Sequence, residues 1–153
     1  MKLILVRGLP GSGKSTFAAA SFPTVKLIEA DDYFYKDGVY LFNREEIRKA
    51  HIDCQSRTTD HIKAGYSVVV ANTFTRLWEM RFYFNLAFEN EMDFLVYRCE
   101  GNFGSIHGVP QKVISQMRHR FEPFAPEIVV DNQSSLLVKP ETSRKTNPPV
   151  SRP

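Results

Sequence analysis

KLILVRGLPGSGKST, residues 2–16, runs four consecutive apolar residues and an arginine into a loop of three glycines, followed by a lysine and two hydroxyl side chains. An apolar run of this length that meets glycine predicts a buried strand, here Lys2 to Val6, feeding a loop, and KSTFAAAS then predicts a short helix over 14–21. Within it, GLPGSGKS satisfies GxxxxGK[ST] at every fixed position through Gly8, Gly13, Lys14 and Ser15. Strand, glycine loop and helix in that order are what phosphate binding requires. Residues free of Cβ let successive backbone N–H groups turn onto phosphate oxygens, and the helix start adds its positive dipole end. Gly8, Pro10, Gly11, Ser12, Gly13, Lys14, Ser15 and Thr16 are therefore expected to hold a nucleoside triphosphate such as ATP. Lys14 would reach the β- and γ-phosphates, and the Ser15 hydroxyl would complete a Mg2+ shell. The alternative is a strand-to-helix turn without a ligand.

A second set of apolar runs surrounds this unit. Val25–Glu29, Ser67–Ala71, Glu91–Arg98 and Glu127–Val130 read as further strands. Between them, residues 44–63 read as a helix with Ile47, Ala50, His51, Cys54, Thr58, His61 and Ile62 on one face and Asn43 as its cap. Residues 76–89 read as another, with Leu77, Met80, Phe84, Leu86 and Phe88 largely inward; Pro110 opens a last one with a stripe of Val113, Ile114, Met117 and Phe121. Strands alternating with helices predict an α/β fold of three layers around a parallel sheet of about five strands. The 153 residues allow one compact domain, expected over 1–131. Residues 132–153 carry the whole net charge of +3 and few large apolar side chains, the composition of a mostly disordered basic tail.

Composition narrows the function further. No apolar stretch approaches the ~20 residues of a spanning helix, so a membrane role is excluded. MKLILVRG is too short an apolar run for a secretory signal, which points to the cytoplasm. Cys54 and Cys99 lack metal-ligand spacing and are expected to be reduced and buried.

Beyond the phosphate loop, LIEADD supplies the best candidates for acid–base work. Asp31 and Asp32 follow the second strand, and ligands of open α/β sheets sit beyond the carboxyl ends of the strands. One carboxylate, Asp31, would accept the proton of an attacking hydroxyl, and Asp32 would hold a metal-bound water; a helix cap is the alternative for both. The third strand ends in Ala71, Asn72 and Thr73, where an acidic residue would ordinarily serve the metal, so metal binding there must be indirect or weaker. Asn72 and Thr73 are instead candidates to contact phosphate or acceptor. In DDYFYKDGVYLF, residues 31–42, the turn signal at Lys36 to Gly38 predicts a hairpin that carries aromatics, Tyr33 among them, over the site. A hydrophobic cover for the next helix would use the same residues. His51 and Arg57 on that helix are candidate substrate contacts. EGNFGSIHGVP, residues 100–110, reads as a glycine-rich lid whose one basic residue is His107. A charge-neutralising arginine must then come from outside it; Arg118 is the candidate, against a solvated helix face for QMRHR.

GLPGSGKST, ADDYF, DGVYLFN, AHIDCQSR, VVVANTFTRLWEM and HGVPQKVISQMRHRFE in that order resemble the small AAA-type P-loop ATPases of bacteria and tailed phages. That group is related to the kinase domain of Nedd-binding proteins and, more distantly, to polynucleotide 5′-kinases. The resemblance spans about residues 1–124 and implies an adenylate-kinase-like core with ATP-dependent transfer to a hydroxyl of a nucleic-acid end, nucleoside or other small molecule. It also implies the general-base role for Asp31 and, for a phage-encoded chain, the host cytoplasm. Polynucleotide kinases carry a substrate-phosphate arginine just after that acidic pair, and Phe34 stands there in this sequence. The rival expectation is a nucleotide-binding interaction protein whose weak ATPase acts on a host or protein partner, distinguished by the fate of the γ-phosphate.

Overall fold

The computed structural model describes residues 1–105 and 107–131; the expected tail lies outside the described residues. Strand β1 (Lys2–Arg7) leads into helix α1 (Lys14–Ser21), then β2 (Lys26–Ile28). A 3₁₀ turn over Ala30–Phe34 precedes a two-stranded hairpin, β3 (Tyr35–Lys36) and β4 (Val39–Tyr40), and α2 (Ile47–Lys63). The chain continues through β5 (Val68–Asn72), α3 (Arg81–Glu89), β6 (Asp93–Cys99), α4 (Gln111–Arg120) and β7 (Ile128–Val130). Five strands form one sheet in the order β2-β5-β1-β6-β7, and all its pairings are parallel. The three-layer α/β expectation therefore holds.

The strand runs are apolar throughout because both faces of the sheet are covered. Alternation along β1 sends Leu3 and Leu5 to one side, where they pack with Val68, Val70, Cys54, Ile62, Tyr83 and Ala87. Ile4 and Val6 face the other side with Val69, Ala71, Phe17 and Ala18 of α1. One layer is thus α2 and α3, the opposite one α1. Both cysteines are buried and unbridged, and burial pushes the thiol of Cys99 up to about 11. Among the described residues no helix is long and apolar enough to cross a membrane.

Two inward faces differ from expectation. On α2 the buried set is Ala50, Cys54, Thr58 and Ile62, while Ile47 is exposed because the chain enters through a 3₁₀ turn, Arg44–Glu46, that Asn43 caps at the Glu45 N–H. Before α3 a 3₁₀ turn over Leu77–Met80 shifts the helical phase, so Met80, Tyr83 and Ala87 point inward. Phe84, Phe88 and Leu77 are exposed; hydrophobic residue type misled where the three-and-four spacing from Met80 would not have.

The carboxyl end of the sheet is tied together by Arg7, whose side chain is fully buried. Its guanidinium donates to the Phe74 carbonyl from Nε at 3.0 Å and from Nη2 at 2.6 Å, and pairs with Glu127 at 3.0 Å. Phe121 lies under it, ring centroid 4.2 Å from Cζ. Glu127 also accepts from Arg98 Nη1 at 2.8 Å. One carboxylate thereby joins β1, β6 and the turn before β7.

Candidate phosphoryl-transfer site

The phosphate loop lies at the carboxyl end of β1, the central strand. Its glycines answer to two close approaches. A Cβ at Gly8 would fall 2.6 Å from the Cys99 carbonyl oxygen and 2.5 Å from Ser12 Oγ. At Gly11 a Cβ would meet the Gly104 carbonyl at 2.7 Å, and φ there is +78°, which side chains rarely adopt. The second approach arises because the lid lies on the loop, with the Phe103 N–H donating to the Gly11 carbonyl at 2.8 Å. Gly13, at φ +87°, opens α1 without a side-chain cap and with no acidic residue in its first turn. The helix start consequently keeps unsatisfied N–H groups for an anion.

Lys14 folds back onto the loop, its ammonium donating to the Leu9 carbonyl at 3.0 Å. Burial lowers its pKa, and the carboxylates of Glu29 and Asp31 act in the opposite sense. A phosphate arriving there would add to that opposing field and hold the charge on Lys14. Ser15 and Thr16 are exposed at the mouth. The Ser15 hydroxyl donates to the Glu29 carboxylate, a partner that sequence patterning did not single out. Burial pushes the Glu29 carboxyl above the usual range, and the Ser15 hydrogen bond draws it back.

Asp31 and Asp32 part company in the 3₁₀ turn. Asp31 is exposed and looks toward the hairpin and the lid: the Tyr40 hydroxyl donates to Oδ1 at 3.4 Å, and His107 Nε2 lies 3.7 Å from Oδ2. Tyr40 and His107 stack at 4.0 Å and 21°, with Tyr35 against both. Burial and then Asp31 push the Tyr40 hydroxyl up to about 12, so it remains a donor at neutral pH. The expected hairpin, which places it, turns through Asp37 and Gly38 at φ 51° and 77°, both positive as in a type I′ turn.

Asp32, the expected metal residue, turns one carboxylate oxygen to the acidic turn and to α2. Its Oδ2 accepts from the Glu29 N–H at 2.9 Å and from Arg57 Nη1 at 3.0 Å. Arg57, the candidate substrate contact, also donates to the Glu29 carbonyl at 2.8 Å and to Asp53 at 2.7 Å, which makes it a clamp on the acidic turn. Asn72 is likewise internal. Buried, it accepts the Ala30 N–H at 2.9 Å and points its amide at Cys54 Sγ, 3.6 Å away. Thr73 contributes its carbonyl, which accepts the Gly8 N–H at 3.2 Å. Tyr33 packs edge-on against Phe34, at 5.4 Å, and onto the core. His51 is half-buried on α2 and shares no hydrogen bond with this cluster among the described residues. Asn72→Ala is expected to strand the buried Ala30 N–H and cost about 1–3 kcal/mol, measured as a lower Tm with α/β circular dichroism retained at low temperature.

On the opposite flank of the loop a cavity of about 380 Å³ is lined by Pro10, Ser12, Arg98, Gly101, Arg118 and Phe121, among others. Ser12 Oγ and Arg98 Nε are buried there without hydrogen-bond partners among the described residues. Arg118 is thus brought to the loop, on the β6 side, while Asp31 stands on the β2 side. For magnesium, Ser15 and Glu29 offer an exposed hydroxyl and a carboxylate in contact, a set that fits an ion held by one or two protein oxygens plus phosphate and water.

A family model described as AAA domain matches residues 3–102. The human NEDD4-binding protein 2 is 29% identical over 145 residues, covering 86% of this chain. The chain spans only 8% of that relative's length. An unliganded sugar kinase from a Janibacter species superimposes with TM-score 0.62 at 16% identity, over 86% of this chain and 85% of that one. The APS kinase of Mycobacterium tuberculosis, in complex with AMPPNP and APS, gives TM-score 0.58 at 15% identity, over 86% and 88% of the two chains. Chains this dissimilar in sequence share the fold.

Proposed function

Because the chain belongs to the AAA domain family, we propose that it is a P-loop phosphotransferase that moves the γ-phosphoryl group of ATP to a hydroxyl acceptor. The observation that carries this reading is the meeting of two half-sites at one end of the sheet. Lys14, Ser15 and the open start of α1 form an anion cradle, and Asp31 stands exposed on the adjoining turn. The APS kinase whose fold it shares holds an ATP analogue, which supports ATP as donor.

In this reading the loop N–H groups and Lys14 bind the phosphates, and Arg118 or Arg98 reaches the nucleotide from the cavity beside the loop. Asp31 takes the proton of the attacking hydroxyl. As the acceptor oxygen bonds to the γ-phosphorus, the bond from phosphorus to the bridging oxygen breaks and ADP departs with those electrons. Mg2+ would be held by Ser15 with Glu29 behind it, and would supply neutralisation of the phosphate charge. Tyr35, Tyr40 and His107 offer ring faces beside Asp31, which favours a hydroxyl on a molecule with a planar ring, such as a nucleoside or a nucleic-acid end.

The test is incubation with γ-labelled ATP and a panel of 5′-hydroxyl DNA, 5′-hydroxyl RNA, nucleosides and sugars. Label on one acceptor class is the expected result. Slow release of free phosphate with every acceptor unlabelled would instead favour a nucleotide-gated interaction protein.

A further inference from the structure

In the sequence the place for a metal-serving acid is the end of β5, and β5 brings none. Ala71 is 2% exposed and packs with Phe17, while Asn72 spends its side chain on Ala30 and Cys54. The neighbouring strand supplies the missing group. Ile28 of β2 is level with Val70 of β5, so Glu29 and Ala71 are the next residues along two adjacent strands. From there the Glu29 carboxylate reaches the Ser15 hydroxyl, which donates to Oε1.

The backbone of Glu29 is fixed on both sides. Its N–H donates to Asp32 Oδ2 at 2.9 Å, and its carbonyl accepts from Arg57 Nη2 at 2.8 Å. Arg57 is in turn anchored by Asp53 at 2.7 Å and Asp32 at 3.0 Å. Asp32 and Arg57 therefore act as a frame. Held by it, the Glu29 carboxylate is aimed at the loop's hydroxyl.

We infer that the acid serving the phosphate-loop hydroxyl and its divalent cation has moved in this chain from β5 to β2, with Glu29 as the positioning residue. Glu29 sets the Ser15 lone pair toward the cation and accepts from a water in its shell, an outer-shell role whose loss ordinarily weakens metal affinity about 10- to 100-fold. Glutamate suits the new address, since one more methylene than aspartate lengthens its reach across a strand spacing. Asp31 is left free for proton transfer, with no metal duty.

This inference rests on nucleotide binding by the loop, and its test separates the two. ADP affinity is measured by calorimetry in EDTA and with Mn2+, and bound Mn2+ is followed by electron paramagnetic resonance, for the wild-type chain and Glu29→Gln. Expected is ADP binding by both in EDTA within about twofold, with Mn2+ affinity of the ADP complex about tenfold or more weaker in Glu29→Gln. Equal Mn2+ affinity in the two would overturn the role of Glu29 and leave the nucleotide site standing. A parallel loss of metal-free ADP binding would also overturn it, because Glu29 would then be shaping the loop. No ADP binding by the wild-type chain would overturn the nucleotide reading itself, and the inference with it.

Discussion

Asp31→Asn is expected to lower phosphoryl transfer by about 10²- to 10⁴-fold while nucleotide affinity changes by less than about twofold. Asparagine keeps the shape and the Tyr40 hydrogen bond but takes no proton from an attacking hydroxyl. The folded state should hardly notice, since the Asp31 side chain is 51% exposed and its neighbours at 3.4 and 3.7 Å are a neutral hydroxyl and a lid imidazole. Single-turnover transfer and calorimetric ADP binding on the same preparation give the two readouts. Equal loss of both would remove Asp31 from the role of base. Asp32→Asn is the control, because Asp32 pairs with Arg57 and holds the Glu29 N–H. Its substitution loosens the acidic turn and is expected to lower Tm before it lowers transfer.

The difference between those neighbours marks how far sequence patterning reaches. Local signals carried the phosphate loop, because GxxxxGK[ST] encodes backbone freedom and the two side chains that need it within a single turn. The turn Asp37-Gly38 and the capping Asn43 were legible for the same reason. The sheet was legible through apolar runs that need both faces buried. Asp32, Arg57 and Asn72 were not, since each also makes a contact 25 or more residues away in sequence: Arg57 reaches back to Asp32, and Asn72 reaches Ala30. Residue type suggested chemistry, and only tertiary contact reveals the structural bonds they make. Glu29 shows the converse. It sits two residues before a conspicuous acidic pair and reads as the end of a strand, and only the β2-β5 register puts its carboxylate on Ser15. A signal did exist in the bare Ala71, since an acid missing from one strand end invites a search of the next.

Glu127→Ala is expected to produce the largest loss of stability, about 3–5 kcal/mol, the usual cost of stranding one partner of a buried pair. Arg7 cannot escape to water: it is 0% exposed, its guanidinium lies over Phe121, and it comes from the central strand. Burial already lowers its pKa, and Glu127 is the group that chiefly opposes that. The carbonyls of Phe74 and Thr75 would still accept its N–H groups, which keeps the expected loss from being larger. Glu127 is shared, however, so its removal also frees Arg98, which lines the cavity beside the phosphate loop. A fall in Tm on the order of 10 °C follows for a chain of this size, read by calorimetry. Arg7→Met with Glu127→Leu removes both charges and restores apolar contact with Phe121, so the double variant should recover much of the loss. A double variant no more stable than Glu127→Ala would show that Arg7 matters through its carbonyl bonds across the sheet end, and not through its charge.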